Sequence, residues 1–136
     1  MRSKSRRIYL THCSAAKAAS FRESEAPTTP DRLYTSRRLQ AFVRRCRAHR
    51  VVWAILSDRY GIWFPGVEHP WYDKHPNSVS PAEFHALVAD FDTKLEPYGE
   101  IWFYHHPSRF HRLYRNLLEA SRLNTRIRLF SKIEAI

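Results

Sequence analysis

Short apolar runs alternate with amphipathic stretches along the chain, and this alternation limits the folds that it can adopt. Four runs have the length and composition of β-strands, at residues 8–10, 51–56, 101–104 and 127–130. The second run contains no polar residue, as expected of a strand that is covered on both faces. The fourth alternates apolar and polar residues, which predicts a position nearer an edge of the sheet.

Three stretches between these runs have the apolar periodicity of helices. The first covers about residues 36–49, with its arginines outside an apolar stripe. The second begins at Ser80, where Pro81 suits the first helical position and Glu83 can complete a capping box. The third covers about residues 108–123.

The resulting order, β-α-β-α-β-α-β, predicts a parallel sheet with right-handed crossovers and helices on both faces. We therefore expect a single three-layer, Rossmann-like α/β domain over residues 8–136, with a mostly parallel sheet of about four strands. Residues 1–7 are expected to form a basic arm. Two long connections, residues 14–35 and 61–80, are candidate functional loops, because long irregular segments in a compact domain are commonly functional.

Length and composition favour one soluble domain. The chain has 136 residues, 43% of them hydrophobic, which is enough to bury a sizeable core. No apolar run approaches the roughly 20 residues that span a bilayer, and the basic start lacks the apolar stretch of a signal peptide. Cys13 and Cys46 are too few for a disulfide scaffold. These features predict a cytoplasmic protein without a membrane partner.

Basic residues are concentrated towards the two ends of the chain, which carries a formal net charge of +10. Residues 1–50 contain 13 Lys and Arg against three Asp and Glu, whereas residues 51–100 contain three against eight. Such a surface attracts polyanions, with nucleic acid the first candidate; a merely basic surface without a partner is the alternative. The candidate contacts to a nucleic-acid backbone are five arginines of the first predicted helix: Arg37, Arg38, Arg44, Arg45 and Arg47.

Polar clusters follow three of the predicted strands, at residues 11–17, 57–61 and 105–111. Ligands bind outside the carboxyl ends of the strands in open parallel sheets, so these clusters are expected to line one cleft. The candidate substrate contacts lie in the clusters or in the two long connections: Cys13, Ser14, Tyr34, Ser57, Tyr60, Gly61, Tyr72 and Arg109.

Three further side chains are candidate catalytic groups: Lys17, Asp73 and His111. The turn Cys13-Ser14-x-x-Lys17 can bind an anion through its backbone N–H groups, and Lys17 or Cys13 can attack if its pKa is depressed. The alternative is a small buried Cys13 and a solvated Lys17.

Asp73 can act as a general base beside an aromatic pair that stacks a base, or it can simply cap a turn. His111 lies near Arg109 at the start of the third helix, where it can move a proton beside a bound anion or bond to the backbone. Four histidines near the strand ends match no zinc-ligand spacing, so neither a metal nor another cofactor is expected: His12, His105, His106 and His111.

Taken in order, these motifs resemble an uncharacterised prokaryotic domain family. That family is similar to YaaA-like proteins and to domains that accompany archaeal 7-deazaguanine transglycosylases and archaeosine synthases. The matching residues are Cys13, Ser14 and Lys17, then 33–36, then 55–57 with Tyr60 and Gly61, then Tyr72 and Asp73, then 107–111 with Leu113 and Tyr114.

This resemblance spans residues 8–130 and implies a compact α/β domain, distantly similar to uracil-DNA-glycosylase-like folds, whose motifs line one cleft. It also implies that Lys17 is the functional nucleophile. The chain departs from the family pattern at Ala18-Ala19, where Pro-Tyr is expected, and at His105-His106, where Tyr or Asn is expected before the proline.

The sequence therefore predicts an enzyme that handles a nucleobase, a nucleotide or a nucleic acid, by glycosidic-bond or modified-base chemistry. Two alternatives remain open at this point. One is a non-catalytic DNA- or RNA-binding module that uses the same basic surface. The other is a small-nucleotide-binding protein in which that surface plays no part.

Overall fold

The structure is a computed structural model that describes residues 6–136. It is a mixed α/β fold built on one sheet of five strands. The strands are β1 (Arg7–His12), β2 (Trp53–Ser57), β3 (Gly61–Trp63), β4 (Glu100–Tyr104) and β5 (Ile127–Phe130). The helices are α1 (Ala19–Ser24), α2 (Pro30–Leu33), α3 (Arg37–Ala48), α4 (Pro81–Leu95) and α5 (Arg112–Ala120).

The sheet has the order β3-β2-β1-β4-β5, and only its β3 strand runs antiparallel to its neighbour. All four predicted strands are present and mutually parallel, and β5 lies at an edge as predicted. The prediction of about four strands missed β3. Its three residues are too few for a periodic pattern, and they lie within the predicted long connection 61–80.

Local sequence chemistry sets the boundaries of α4. Ser80 Oγ accepts a hydrogen bond from the Glu83 N–H (3.1 Å), and Glu83 Oε1 accepts one from the Ser80 N–H (2.8 Å). The predicted capping box is therefore confirmed. The predicted first helix is also confirmed, as α3, whose N-cap is Ser36.

The third predicted helix is shorter than its apolar pattern suggests. His111 caps the N-terminus of α5, and its Nδ1 accepts a hydrogen bond from the Leu113 N–H. At the other end Ser121 leaves the helical conformation, because its hydroxyl donates to Asp92 and accepts from the Leu123 N–H. Helices α1 and α2 lie in the predicted connection 14–35, where six and four residues are too few to show a helical period.

Side chains alternate between two faces of the sheet, and paired residues of parallel strands share a face. One face carries Tyr9, Trp102 and Tyr104, and Phe42 of α3 stacks on Tyr104 at 6.0 Å between ring centroids. We call it the α3 face. The opposite face carries His12, on which Tyr114 of α5 stacks at 4.9 Å. Strand β2 is buried along its whole length, as predicted, but it begins at Trp53, so that Val51 and the exposed Val52 of the predicted run precede it.

Between residues 6 and 136, no helix has both the length and the apolar composition needed to cross a membrane. Arg7 is the first residue of β1, so the strand begins within the segment that was expected to be an arm. Arg6 precedes the strand, and residues 1–5 of that segment lie outside the described residues.

Candidate functional site

A cleft of about 390 Å³ opens at the carboxyl ends of β1, β2 and β4. Its lining comes from the end of β1 and the loop after it, the start of α3, the residue after β2, the loop before α4, the loop after β4 and the start of α5. The lining residues are His12, Cys13, Ser14, Ala15, Lys17, Ser36, Arg38, Asp58, Tyr72, Lys74, His75, Pro76, His106, Arg109, His111 and Tyr114. Seven of the predicted site residues thus lie in one cleft: Cys13, Ser14, Lys17, Arg38, Tyr72, Arg109 and His111.

Positive charge dominates the lining of this cleft. Within residues 6–136, Lys17, Arg38 and Arg109 have no carboxylate close enough to form a salt bridge. Lys74 differs, because its Nζ lies 2.9 Å from Glu83 Oε2. Among residues 6–136, Asp58 is the only acidic side chain of the lining. An anion that enters the cleft therefore meets three cations without counter-ions.

Arg38 is held at the floor of the cleft by the end of β1. Its guanidinium donates to the Thr11 hydroxyl and to the His12 carbonyl oxygen, the latter at 3.0 Å. Burial lowers the pKa of the guanidinium, and the nearby Tyr104, Cys13 and Tyr114 offset this lowering only in part. Among the arginines of α3 that were predicted to contact a nucleic-acid backbone, this is the one that lines the cleft.

The other arginines of α3 lie outside the cleft. Arg37 and Arg44 are exposed. Arg45 donates to the carbonyl oxygens of Glu134 (3.2 Å) and Ile136 (3.3 Å). Arg47 forms a salt bridge of 2.8 Å with Asp31. Arg45 and Arg47, two of the five predicted backbone contacts, therefore already bind groups of this chain.

Beneath the cleft, Asp58 belongs to a buried polar cluster. The Cys13 thiol donates to Asp58 Oδ1 at 3.5 Å, and the Tyr114 hydroxyl lies 3.1 Å from the same sulfur. Only 4% of Asp58 is exposed, and burial raises the pKa of its carboxyl group. A carboxyl group in this state can exchange a proton nearer neutral pH than an exposed one can.

Tyr34 and Ser57 lie behind Tyr72. The Tyr72 hydroxyl lies 2.5 Å from that of Tyr34, and Ser57 Oγ donates to it at 3.3 Å. The Ser57 hydroxyl also accepts the N–H groups of Arg59 and Tyr60, and so it stabilises the turn after β2. The predicted substrate contacts Tyr34 and Ser57 are thus buried, and they support Tyr72 from behind.

Lys17 lies over Tyr72 at the mouth of this cluster. Its Nζ is 4.4 Å from the centroid of the Tyr72 ring, a distance typical of a cation–π contact. The backbone of Lys17 pairs with that of Tyr34, which fixes the loop after β1. Ser14, next to it, accepts the Ala16 N–H at 3.2 Å.

His111 is bound through both ring nitrogens. Its Nδ1 accepts the Leu113 N–H at 3.0 Å, so the proton of the neutral ring is on Nε2 and is donated to Asn77 Oδ1 at 2.8 Å. Burial lowers the pKa of His111, and the neighbouring His75 lowers it further. These contacts join the loop before α4 to the start of α5.

Three predicted residues line a neighbouring cavity of about 600 Å³, which shares Asp58 and Lys74 with the cleft. They are Tyr60, Gly61 and Asp73. Tyr60 stacks on His69 with 4.0 Å between ring centroids, and its hydroxyl donates to the Pro70 carbonyl oxygen. Asp73 is exposed there. The structure does not bring these three residues into the cleft.

Asp58 and His12 are two of the cleft residues that were not among the predicted site residues. Asp58 directly follows the fully buried strand β2. Its position at the carboxyl end of a predicted strand is the sequence signal that could have identified it as a site residue. His12 ends β1; its Nδ1 lies 2.9 Å from the Cys13 carbonyl oxygen, and burial lowers its pKa to about 3. Its Nε2 is buried without a hydrogen-bond partner in the described part of the chain.

The Cys13 thiol is expected to react slowly in the folded protein. Burial raises its pKa to about 11, so about one thiol in a thousand is ionised at pH 8. In a Cys46→Ala variant, alkylation of Cys13 should be at least about a hundredfold slower in the folded than in the urea-unfolded chain. The alkylation rate of the folded protein should rise about tenfold per pH unit below pH 10. Rapid alkylation near neutral pH would instead identify Cys13 as an activated nucleophile.

Within residues 6–136, no group of three or more His, Cys, Asp or Glu side chains is arranged to hold a metal ion. No protein-family model, curated protein or solved structure matches the chain.

Proposed function

We propose that this chain is an enzyme that handles a nucleobase carried by a phosphate-bearing substrate, a nucleotide either free or within a nucleic acid. The cleft at the carboxyl ends of β1, β2 and β4 is its active site, and glycosidic-bond or modified-base chemistry is its reaction. Its domain is three-layered and Rossmann-like. In support, the strand order reverses at β1, and ligands of such sheets bind at the point of reversal.

One observation carries this proposal: three cations without counter-ions lie in the same cleft as a buried carboxyl group. Uncompensated cations favour an anionic ligand, and Arg38 and Arg109 have the planar donors that suit a phosphate. A cleft of about 390 Å³ falls within the size range of small-molecule sites. Asp58, beside them, supplies a group that can accept or donate a proton.

Each residue then has a role in the proposed reaction. Arg38 and Arg109 bind the phosphate, and the start of α3 adds the positive end of a helix dipole. Lys17 binds the anion, or its amine attacks C1′ of the sugar, which breaks the glycosidic bond and releases the nucleobase. Asp58, rather than Asp73, moves the proton, because Asp58 is the carboxyl group that lines the cleft.

Nucleotide binding without chemistry is the second candidate function. It is favoured by His111, whose two nitrogens are both held by hydrogen bonds, and by Cys13, whose pKa burial raises. Neither group is free to act as a base or a nucleophile in this arrangement.

Calorimetric titration with nucleoside 5′-monophosphates and with ribose 5-phosphate at low salt tests the proposal. The wild-type chain should bind both, and Arg109→Ala should weaken binding about tenfold by removing charge-assisted hydrogen bonds. Arg44→Ala is the matched control, because Arg44 is exposed on α3 and does not line the cleft. Absence of binding, or an equal loss with Arg44→Ala, would contradict the proposal.

A further inference from the structure

A row of aromatic and arginine side chains crosses the α3 face of the sheet. Tyr9 of β1 pairs with Trp53 of β2 on one side and with Trp102 of β4 on the other. Trp102 in turn pairs with Arg128 of β5. Because paired residues of parallel strands share a face, these four side chains form one continuous line across four strands. None of them lines the cleft.

Arginine side chains cover the rings of this row. The guanidinium carbons of Arg7 and Arg128 lie 4.3 and 4.8 Å from the centroid of Trp102, and that of Arg47 lies 5.9 Å from the centroid of Trp53. All three arginines are exposed. Tyr9 and Trp53 are buried beneath them, whereas Trp102 is only partly buried. Trp102 is therefore the ring of the row that a ligand can reach.

The charge of this surface is positive. Arg7 pairs with Glu100 at 2.9 Å and Arg47 with Asp31 at 2.8 Å. Arg128 has no carboxylate partner within residues 6–136. Three cationic groups thus face two acidic ones on this surface.

We propose that this row is a binding surface for single-stranded nucleic acid. An unpaired base can stack on the indole of Trp102 and on the guanidinium planes beside it, while the arginine charges bind the adjacent phosphates. A duplex keeps its bases stacked inside the helix and cannot offer them to such a surface. This surface is separate from the cleft, and it does not require the cleft to bind a nucleotide.

Fluorescence anisotropy with a labelled oligothymidine of about 12 nucleotides, measured over a salt series, tests this surface. Arg128→Ala should weaken binding about threefold to tenfold near 0.1 M salt and lower the slope of log K against log salt by about 0.7, because one phosphate contact is lost. Trp102→Leu should weaken binding about tenfold or more without changing that slope, because stacking releases no counter-ions.

Arg115→Ala is the matched control. Arg115 is also an exposed arginine over an aromatic ring, 5.1 Å from the centroid of Phe110, but it belongs to α5. Its replacement should leave the affinity and the salt slope unchanged. An equal loss with Arg115→Ala, or a duplex that binds as tightly as the single strand, would overturn the proposal.

Competition separates this surface from the cleft. A nucleoside monophosphate at a concentration that saturates the cleft should leave oligothymidine bound. Displacement of the oligonucleotide would place it in the cleft and overturn the inference while supporting the proposed function. If the wild-type chain binds the mononucleotide but no oligonucleotide at low salt, this inference alone fails.

Discussion

Replacing Asp58 by asparagine is expected to abolish most of the turnover of a bound nucleotide while leaving binding intact. Proton transfer by a positioned carboxyl group contributes about 10²- to 10⁴-fold to a reaction rate, and the amide cannot perform it. Affinity for the nucleotide should hold or increase, because the substitution removes the negative charge that opposes phosphate in the cleft. Release of free base in single-turnover reactions, followed by chromatography, measures the first effect, and calorimetry measures the second.

Asp73→Asn is the matched control for this experiment. Asp73 carries the same functional group but lines the neighbouring cavity, so its replacement should change turnover less than about threefold. Loss of turnover with Asp73→Asn and not with Asp58→Asn would assign the proton transfer to the loop before α4. Equal turnover in all three proteins would show that neither carboxylate transfers the proton, whereas no turnover in any of them would favour nucleotide binding without chemistry.

Stability measurements show whether Asp58→Asn folds as the wild-type chain does. Burial raises the pKa of Asp58, so ionisation opposes folding, and the contribution of this group is lost as pH rises through its folded-state pKa. Asparagine does not ionise. The free energy of unfolding of Asp58→Asn should therefore rise relative to the wild type between acid and neutral pH. A variant that loses stability over that range would reveal a structural role for the carboxylate.

The strands and helices that the sequence predicted are those whose signals are local. Ser80, Pro81 and Glu83 act through hydrogen bonds within one turn, and the first turn of α4 follows from them alone. Strand β2 could be predicted because burial on both faces leaves a continuous apolar run. Strand β3 gives no such signal, because its residues depend on pairing with β2 and on the Asp90 carboxylate.

The cleft could be predicted in outline, since parallel strands bring their carboxyl ends to one edge. Its individual side chains depend on the direction of the chain beyond each strand. Helix α3 starts at that edge, so Arg38 lies in the cleft, whereas Arg44 lies six residues further on, about 9 Å along the axis. An arginine-rich helix therefore contributes one cation to the cleft and not five.

The choice between Asp58 and Asp73 could not be made from the sequence. Both carboxylates follow β2, and Asp73 lies beside Tyr72, which does reach the cleft. Asp58 lines both cavities, whereas Asp73 lines the second and not the cleft, because the chain returns antiparallel through β3 and the loop before α4 then passes between the two cavities. Tyr72 and Asp73 are adjacent in that loop, yet Tyr72 lines the cleft and Asp73 lines the neighbouring cavity.

Gly61→Ala is expected to cost about 2–5 kcal/mol in the free energy of unfolding. Gly61 has φ +73°, a left-handed conformation that costs an alanine about 1–2 kcal/mol. A Cβ there would also overlap the Asp90 carboxylate, and overpacking of this kind costs about 1–3 kcal/mol. Urea denaturation followed by circular dichroism measures the loss.

Asp90 cannot move aside without breaking the attachment of β3. Its Oδ2 accepts the Ile62 N–H at 2.7 Å, and Lys94, which pairs with Asp90 at 2.8 Å, donates to the Ile62 carbonyl oxygen. Asp90→Ala alone should therefore cost about 1 kcal/mol, and the double variant should lose less than the sum of the two single losses, because the overlap is gone. Additive losses would show that the backbone conformation alone requires glycine.

If folded Gly61→Ala still binds the nucleotide with wild-type affinity, glycine is needed to turn the chain after Asp58 and not to admit the ligand.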